Sequence, residues 1–362
     1  MRGYDPVRVT TDCRHSGVSA TRIENEHLRL LVLDGKGGDI LEFRDKATDV
    51  DVLWQTPHDW QTPERPFLAE DSRAAWATYY PGGWQTNLPI AGWGGSVSGT
   101  EYGLHGESAL VPWTTTVLED SPRAVRVRLA ADLVRYPFRV EREVSLAAGE
   151  RTVEFHDTIT NEGAVPLEYI WQQHVALGPP LVGPQARLDV PAQTGVVEES
   201  YDTPTFEHSR LAAGERFDWP HAPAADGGEV DLRTFPPYDS RIHDQVYATD
   251  LSEGWYAVTN PEVDLGFALS FPVDPYECLW YWQPFGGIDE SPYFGRNYNV
   301  GLEPTSAYPA GSIPDAQRAN GTINTLDAGE QVEATVHATL YHGLEAVESV
   351  SQNGSVEGSP SA

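Results

Sequence analysis

Apolar and polar residues alternate with a period of two along much of this chain, the pattern of strands with one buried face and one wet face. The stretches AVRVRLAADLVR (124–135), FRVEREVSL (138–146), RTVEFHDTITNEG (151–163) and QVEATVHATLYHG (331–343) show it clearly. HLRLLVLDGKGGDILEFRDK (27–46) reads as strand, glycine turn, strand. Related short turns, AAGE at 147–150, LAAGE at 211–215 and LDAGE at 326–330, adjoin alternating segments. No long stretch keeps the 3.6-residue period of a helix, and the 33 Gly and 28 Pro break any such run. Many strands with few helices predict an all-β fold, a large antiparallel β-sandwich. No linker divides the chain, so residues 1–348 are expected to form a single domain. The end, SVSQNGSVEGSPSA (349–362), is small, polar and non-periodic, and is expected to be a disordered tail.

Composition narrows the environment. The formal net charge is −30, the acids are spread along the whole chain, and lysine occurs only at Lys36 and Lys46. An acidic, lysine-poor surface around a core-sized apolar fraction is the composition of a halophilic protein, hydrated by its charge and soluble where salt screens self-repulsion. The same charge argues against nucleic acid or an anionic membrane as partner, because both are bound through basic patches. No apolar run approaches the roughly 18 residues of a membrane span. The N-terminal MRGYDPVRVTTDCRHSG lacks the apolar core of a secretion signal. Cys13 and Cys278 lie far apart and make neither a disulfide framework nor a metal-ligand spacing, so a reducing cytoplasm is the expected compartment. The charge does not identify a substrate, and a monomer or homodimer is expected. The 11 Trp, 16 Tyr and 11 Phe crowd into 76–93, 276–298 and around Trp171. Such residues mostly serve packing, but clustered beside polar groups they also suit the C–H faces of sugar rings.

Three polar islands interrupt apolar surroundings. YGLHGES places His105 between glycines, which let backbone approach a ligand closely. YIWQQHVALGPP places His174 at the end of an aromatic-apolar strand. YNVGLEPTSAYP (298–309) carries a single charge, Glu303, just before Pro304, which is expected to end the strand. A half-buried glutamate is costly unless paired or put to use. Arg296 is the nearby candidate for a structural pair; otherwise burial lifts the carboxyl toward the working range of an acid or base. Histidine titrates near neutrality, so the three residues form a candidate acid/base set. The same types can hold a metal, but the chain has no H-x-H, H-E-x-x-H or cysteine pair. It also lacks a G-x-S-x-G nucleophile, a P-loop and a dinucleotide fingerprint. No metal or cofactor is expected.

In their order, these pieces resemble the galactose mutarotase (aldose 1-epimerase) superfamily. LDGKGGDILEFRDKATDVDVLW (33–54), GLHGES (103–108), WQQHVALG (171–178), HDQVYATD (243–250), NVGLEPTSAYP (299–309) and NTLDAGEQVE (324–333) are similar to family segments and follow the family order. The resemblance implies a β-supersandwich and proton transfer on a sugar. Glu303 would take the proton of the anomeric hydroxyl and His174 would donate one to the ring oxygen. The ring opens, the C1–C2 bond rotates, and the ring closes as the other anomer. The resemblance gives His105 and Asp244 the sugar hydroxyls. Arg73 in DSRAAW is the best-placed arginine for the sugar, with Arg296 the other candidate, and Trp84 in YYPGGWQTNLPIAGWGG is expected to be a sugar-binding aromatic. No metal or nucleotide is implied. A fold does not fix an activity, so a sugar-binding protein without catalysis, a lyase and a hydrolase stay open. A hydrolase needs a second acid at a defined distance from Glu303, for which Asp289 and Glu290 in GGIDESPYF are the nearest in sequence.

Overall fold

A computed structural model describes residues 6–62, 72–199, 206–310 and 314–361. The four alternating segments lie together in one antiparallel sheet of eight strands. Its order is Arg187–Asp189, Trp255–Asn260, Leu265–Ser270, Gln331–Tyr341, Thr152–Asn161, Phe138–Ala147, Ala124–Asp132 and Thr114–Asp120. Along Phe138–Ala147, buried and half-exposed residues alternate without a break.

The second sheet has twelve strands. Its central run is Asp39–Asp45, Trp84–Asn87, Gln172–Leu177, Val300–Thr305, Cys278–Phe285, Ile242–Leu251 and Ala192–Val197, each antiparallel to the next. One face packs on the eight-stranded sheet. Trp84 lies 4.7 Å from Phe155, and Phe43 meets Phe267 edge-on at 5.6 Å. Full burial of each such side chain stabilises by about 1.5–3 kcal/mol. The other face of the central strands is also covered, so that every residue of Gln172–Leu177 and Val300–Thr305 is buried.

A charged knot crosses the core. Arg142, from the eight-stranded sheet, holds Asp157 by two bonds of 2.7 and 2.6 Å and donates to Gln173 Oε1 at 2.7 Å. Gln173 Nε2 donates to Asp157 and to Tyr276 Oη, and Trp84 Nε1 donates to Gln173 Oε1. A buried ion pair is tolerable when its remaining donors and acceptors are matched, and Gln173 matches them. It thereby ties the Gln172–Leu177 strand to the opposite sheet.

Two expectations are corrected. Pro304 does not end its strand: Val300–Thr305 runs through it, with Pro304 opposite Leu279. On the other side the ladder pairs Leu302 with Val175 and Thr305 with Gln172, and lapses between them. That gap lies where proline has no N–H to give. The expected tail is a hairpin, Leu344–Val350 with Val356–Pro360, whose Val347 and Val350 pack on Trp255 and Tyr341. Its turn contains Asn353-Gly354, with Gly354 at φ 82°, a hairpin signal overridden in the sequence reading by the polar composition around it. No helix among the described residues is long and apolar enough to cross a membrane.

Candidate active site

Period two decides what each residue of WQQH faces. Gln173 points into the core, and Gln172 and His174 point the other way. The ladder register, Gln172 opposite Thr305 and Val175 opposite Leu302, sets His174 across from Glu303. The imidazole Nε2 and the carboxylate Oε1 lie 3.4 Å apart, both side chains 3% exposed. Trp280 is opposite Glu303 on the next strand.

These residues form the floor of a cavity. His105 lies beside His174 with ring centroids 5.0 Å apart. Trp76, on the short helix Ser72–Thr78, covers His105 at 4.6 Å. Trp93, Trp280, Trp282, Phe206 and Tyr293 supply further aromatic wall, and Glu198, His243 and Gln245 a polar end.

An amide relay holds the three central groups. Gly92 N–H and Asn87 Nδ2 both donate to His105 Nδ1, at 3.1 and 2.9 Å, so this ring carries its proton on Nε2. Asn87 Nδ2 also donates to Gln172 Oε1 at 2.8 Å. Gln172 Nε2 gives its two hydrogens to Glu303 Oε2, at 2.9 Å, and Thr305 Oγ1, at 3.0 Å. Glu303 is thus held by one oxygen and turns the other toward His174. Gly301 leaves the space for it: a Cβ there would sit 2.1 Å from Glu303 Oε1. His105 itself has φ 61°, and its N–H donates to Gly92 O at 2.9 Å.

Burial sets the electrostatics, because charge is disfavoured away from water. It pushes the Glu303 carboxyl well above the usual carboxylate range. It pulls His174 down to about 4, with the ammonium of Lys36 acting in the same direction. Burial, and then the neighbouring His174, hold His105 well below its ordinary value. Lys36 is paired with Asp39 in the interior, and Asp39 accepts from Gln85, the residue opposite His174 on the Trp84–Asn87 strand. Burial therefore favours an uncharged pair in which the carboxyl, not the imidazole, holds the proton.

The structure brings together Glu303, His174 and His105. Arg296 does not reach Glu303; it donates to the carbonyls of Tyr293 and Pro292 and shapes the turn that places Tyr293 on the wall. Trp84 is away from the cavity, fully buried between the sheets on Phe155. Asp244 is also away from it. It accepts from Ser209, from the Arg210 N–H and from the Arg210 guanidinium, pinning the segment that brings Phe206 to the wall. Its chain neighbours His243 and Gln245 face the cavity instead, because adjacent strand residues face opposite ways. The Arg73 side chain lies outside the described residues. Asp289 is exposed at an ion pair with His208 and Arg241, and neither it nor Glu290 lines the cavity. Sequence reasoning missed Asn87, Gln172, Glu198, His243 and Gln245. Gln172 was within reach, two residues from His174 and hence on its face; Glu198 in VVEES was hidden among many surface acids.

The fold has solved counterparts at low identity. A "putative aldose 1-epimerase" from Klebsiella pneumoniae matches with a TM-score of 0.70 at 17% identity, over 93% of this chain and 83% of that one. A galactose mutarotase-like protein from Clostridium acetobutylicum gives 0.63 at 13% identity, over 94% and 100%. An Escherichia coli protein described like the Klebsiella one gives 0.60 at 19% identity, over 90% and 99%. At such identities the likeness is one of fold, here the galactose mutarotase-like β-sandwich. No curated protein sequence matches the chain. Residues 15–340 match the family described as "Domain of unknown function (DUF4432)", and the chain belongs to that family.

Proposed function

We propose that the protein is an aldose 1-epimerase-type isomerase that interconverts the anomers of a small aldose by acid/base ring opening and closure. The observation that carries this reading is the 3.4 Å approach of Glu303 Oε1 to His174 Nε2 on the floor of an aromatic-walled cavity. Mutarotation needs a base at the anomeric hydroxyl and an acid at the ring oxygen of one molecule, and nothing else need be transferred. A carboxyl and an imidazole that share one proton supply both. Glu303 removes the hydroxyl proton while His174 protonates the ring oxygen, and the roles reverse on closure. Burial favours the shared proton on Glu303; a bound sugar, hydrogen-bonded to both groups, provides the path by which it passes to His174. His105, whose Nε2 carries hydrogen, donates to a sugar oxygen beside the reacting pair. The amide relay through Asn87 and Gln172 fixes the geometry before the substrate arrives. Positioned proton transfer contributes roughly 10²–10⁴-fold per group, which suffices for a reaction that already proceeds in water.

The test is exchange between α and β anomers, followed by NMR saturation transfer over a panel of aldoses in high salt. Acceleration that is lost in Glu303→Gln supports the reading. Sugar binding with no acceleration over buffer means a binding protein on the same fold.

A further inference from the structure

The reaction proposed above uses one end of the cavity and leaves the polar groups at the other end without a task. Glu198 follows the strand Ala192–Val197, and its N–H donates to the Gln245 carbonyl at 3.0 Å. The two side chains thus stand side by side on the cavity wall, 3% and 5% exposed. Glu198 is an acceptor. Tyr247 Oη accepts the Ala310 N–H at 2.6 Å and so turns its own hydrogen onto Glu198 Oε2. Gln245 is a donor in want of an acceptor: its Nε2 is buried with no hydrogen-bond partner among the described residues. Trp282, opposite Gln245 in the ladder, has only an indole N–H, which it donates to His243 Nε2 at 2.7 Å, and so offers Gln245 no acceptor.

An acceptor beside an unmatched donor selects a group that is both at once. A hydroxyl gives its hydrogen to Glu198 and takes one from Gln245. A phosphate or carboxylate would accept from Gln245 but meet the Glu198 charge. An ammonium would satisfy Glu198 and leave the Gln245 N–H buried and unmatched, which is unfavourable. The Gln245 strand is two strands from that of Glu303, about 10 Å by sheet spacing. Long side chains reaching inward from both ends span one sugar ring across that distance.

We propose that Glu198 and Gln245 form a specificity subsite that reads one ring hydroxyl remote from the anomeric carbon, which makes the preferred substrate a neutral aldose rather than a sugar phosphate, a uronate or an amino sugar. This rests on the epimerase reading, and binding and exchange are measured separately so that the two can fail separately. Binding of D-galactose, D-glucose, their 3-, 4- and 6-deoxy analogues, galactose 6-phosphate, galacturonate and galactosamine is measured by titration calorimetry on the intact protein, on Glu198→Gln and on Gln245→Met. The expected result is one deoxy position that binds the unmodified protein roughly 10- to 100-fold more weakly than its parent, the size of a lost hydrogen bond to a charged group. Both variants lose a similar factor on the parent sugar, yet bind that deoxy analogue as the unmodified protein does. Gln245→Met keeps the test valid if Glu198→Gln disturbs Tyr247. Equal losses on every analogue, or a phosphate or uronate bound as tightly as the neutral sugar, overturn the subsite. The position-specific pattern without anomer exchange supports the subsite and removes the epimerase; exchange without the pattern does the reverse. Failure of every sugar to bind removes both.

Discussion

In the eight-stranded sheet, Phe138–Ala147 alternates buried and half-exposed residues, whereas in the twelve-stranded sheet Gln172–Leu177 and Val300–Thr305 are buried throughout. In the alternating strands of the first sheet, what is apolar is buried and most of what is polar is wet, the Arg142–Asp157 pair apart. The second buries glutamines, a histidine and a glutamate on a face that meets a cavity. Polar groups withdrawn from water are costly unless matched; a relay of amides matches Gln172 Oε1 and Glu303 Oε2, while His174 Nδ1 and Asn87 Oδ1 have no partner among the described residues. Burial that is not apolar marks the candidate site of this molecule, and its electrostatic consequence is a carboxyl and an imidazole both driven toward their uncharged forms.

That contrast can be broken at its centre. Glu303→Gln keeps shape and hydrogen bonding but cannot take a proton, so anomer exchange is expected to fall by roughly 10²–10⁴-fold. Circular dichroism should show the fold retained. The buried carboxyl holds its proton more tightly folded than unfolded. Its stabilising contribution is full below the ordinary glutamate pKa and is lost as pH rises through the raised one. The variant should therefore melt higher than the parent at pH 8 and close to it at pH 4; a lower melting point at pH 8 would contradict the assigned burial effect. Gly301→Ala tests position rather than chemistry. The added methyl displaces Glu303 Oε1, and exchange should drop by about 10²-fold, the effect of a misplacement of about 1 Å, with little change in melting.

Effects on the tie between the sheets are smaller. Gln173→Leu strips a partner from Arg142, Trp84 and Tyr276. Denaturant unfolding should show about 2–4 kcal/mol lost, since buried groups left unmatched cost about 1–3 kcal/mol each and the site relaxes partly. Acid titration reads the histidines. Burial lowers His174 to about 4, so its contribution is present above the ordinary histidine value and lost as pH falls toward 4. Melting temperature should decline by a few degrees across that window, and less in His174→Gln. The smallest effect belongs to the other sheet: Glu143→Gln on the wet face, loosely paired with Arg126 at 3.8 Å, should change stability by under about 0.5 kcal/mol. A change comparable to that of Gln173→Leu would erase the distinction between the two sheets.

The wet sheet was the legible one. Its strands 124–135, 138–146, 151–163 and 331–343 stand out in the sequence because water on one side enforces alternation. His105, His174 and Glu303 were also legible, through polar residues in apolar settings and through the order of the segments. The remainder of the site was not. In a strand covered on both faces neither face is apolar by rule, so Gln172 gives no signal of its role and Pro304 reads as a terminator. Asp244 and Trp84 show a second limit. A motif identifies a stretch, but the face on which each residue lies is settled by register, and one position along from Asp244 the side chain enters the cavity.

Lysine is confined to two positions, and both ammonium groups are committed: Lys36 to Asp39 in the interior, Lys46 to Glu24 and to the Asn25 carbonyl. At the bench this limits amine-directed conjugation of the folded protein. It also turns that chemistry into a clock. Acylation at Lys36 proceeds only as fast as the interior beside His174 opens, so its rate reports the breathing of the site, and a sugar seated in the cavity should slow it.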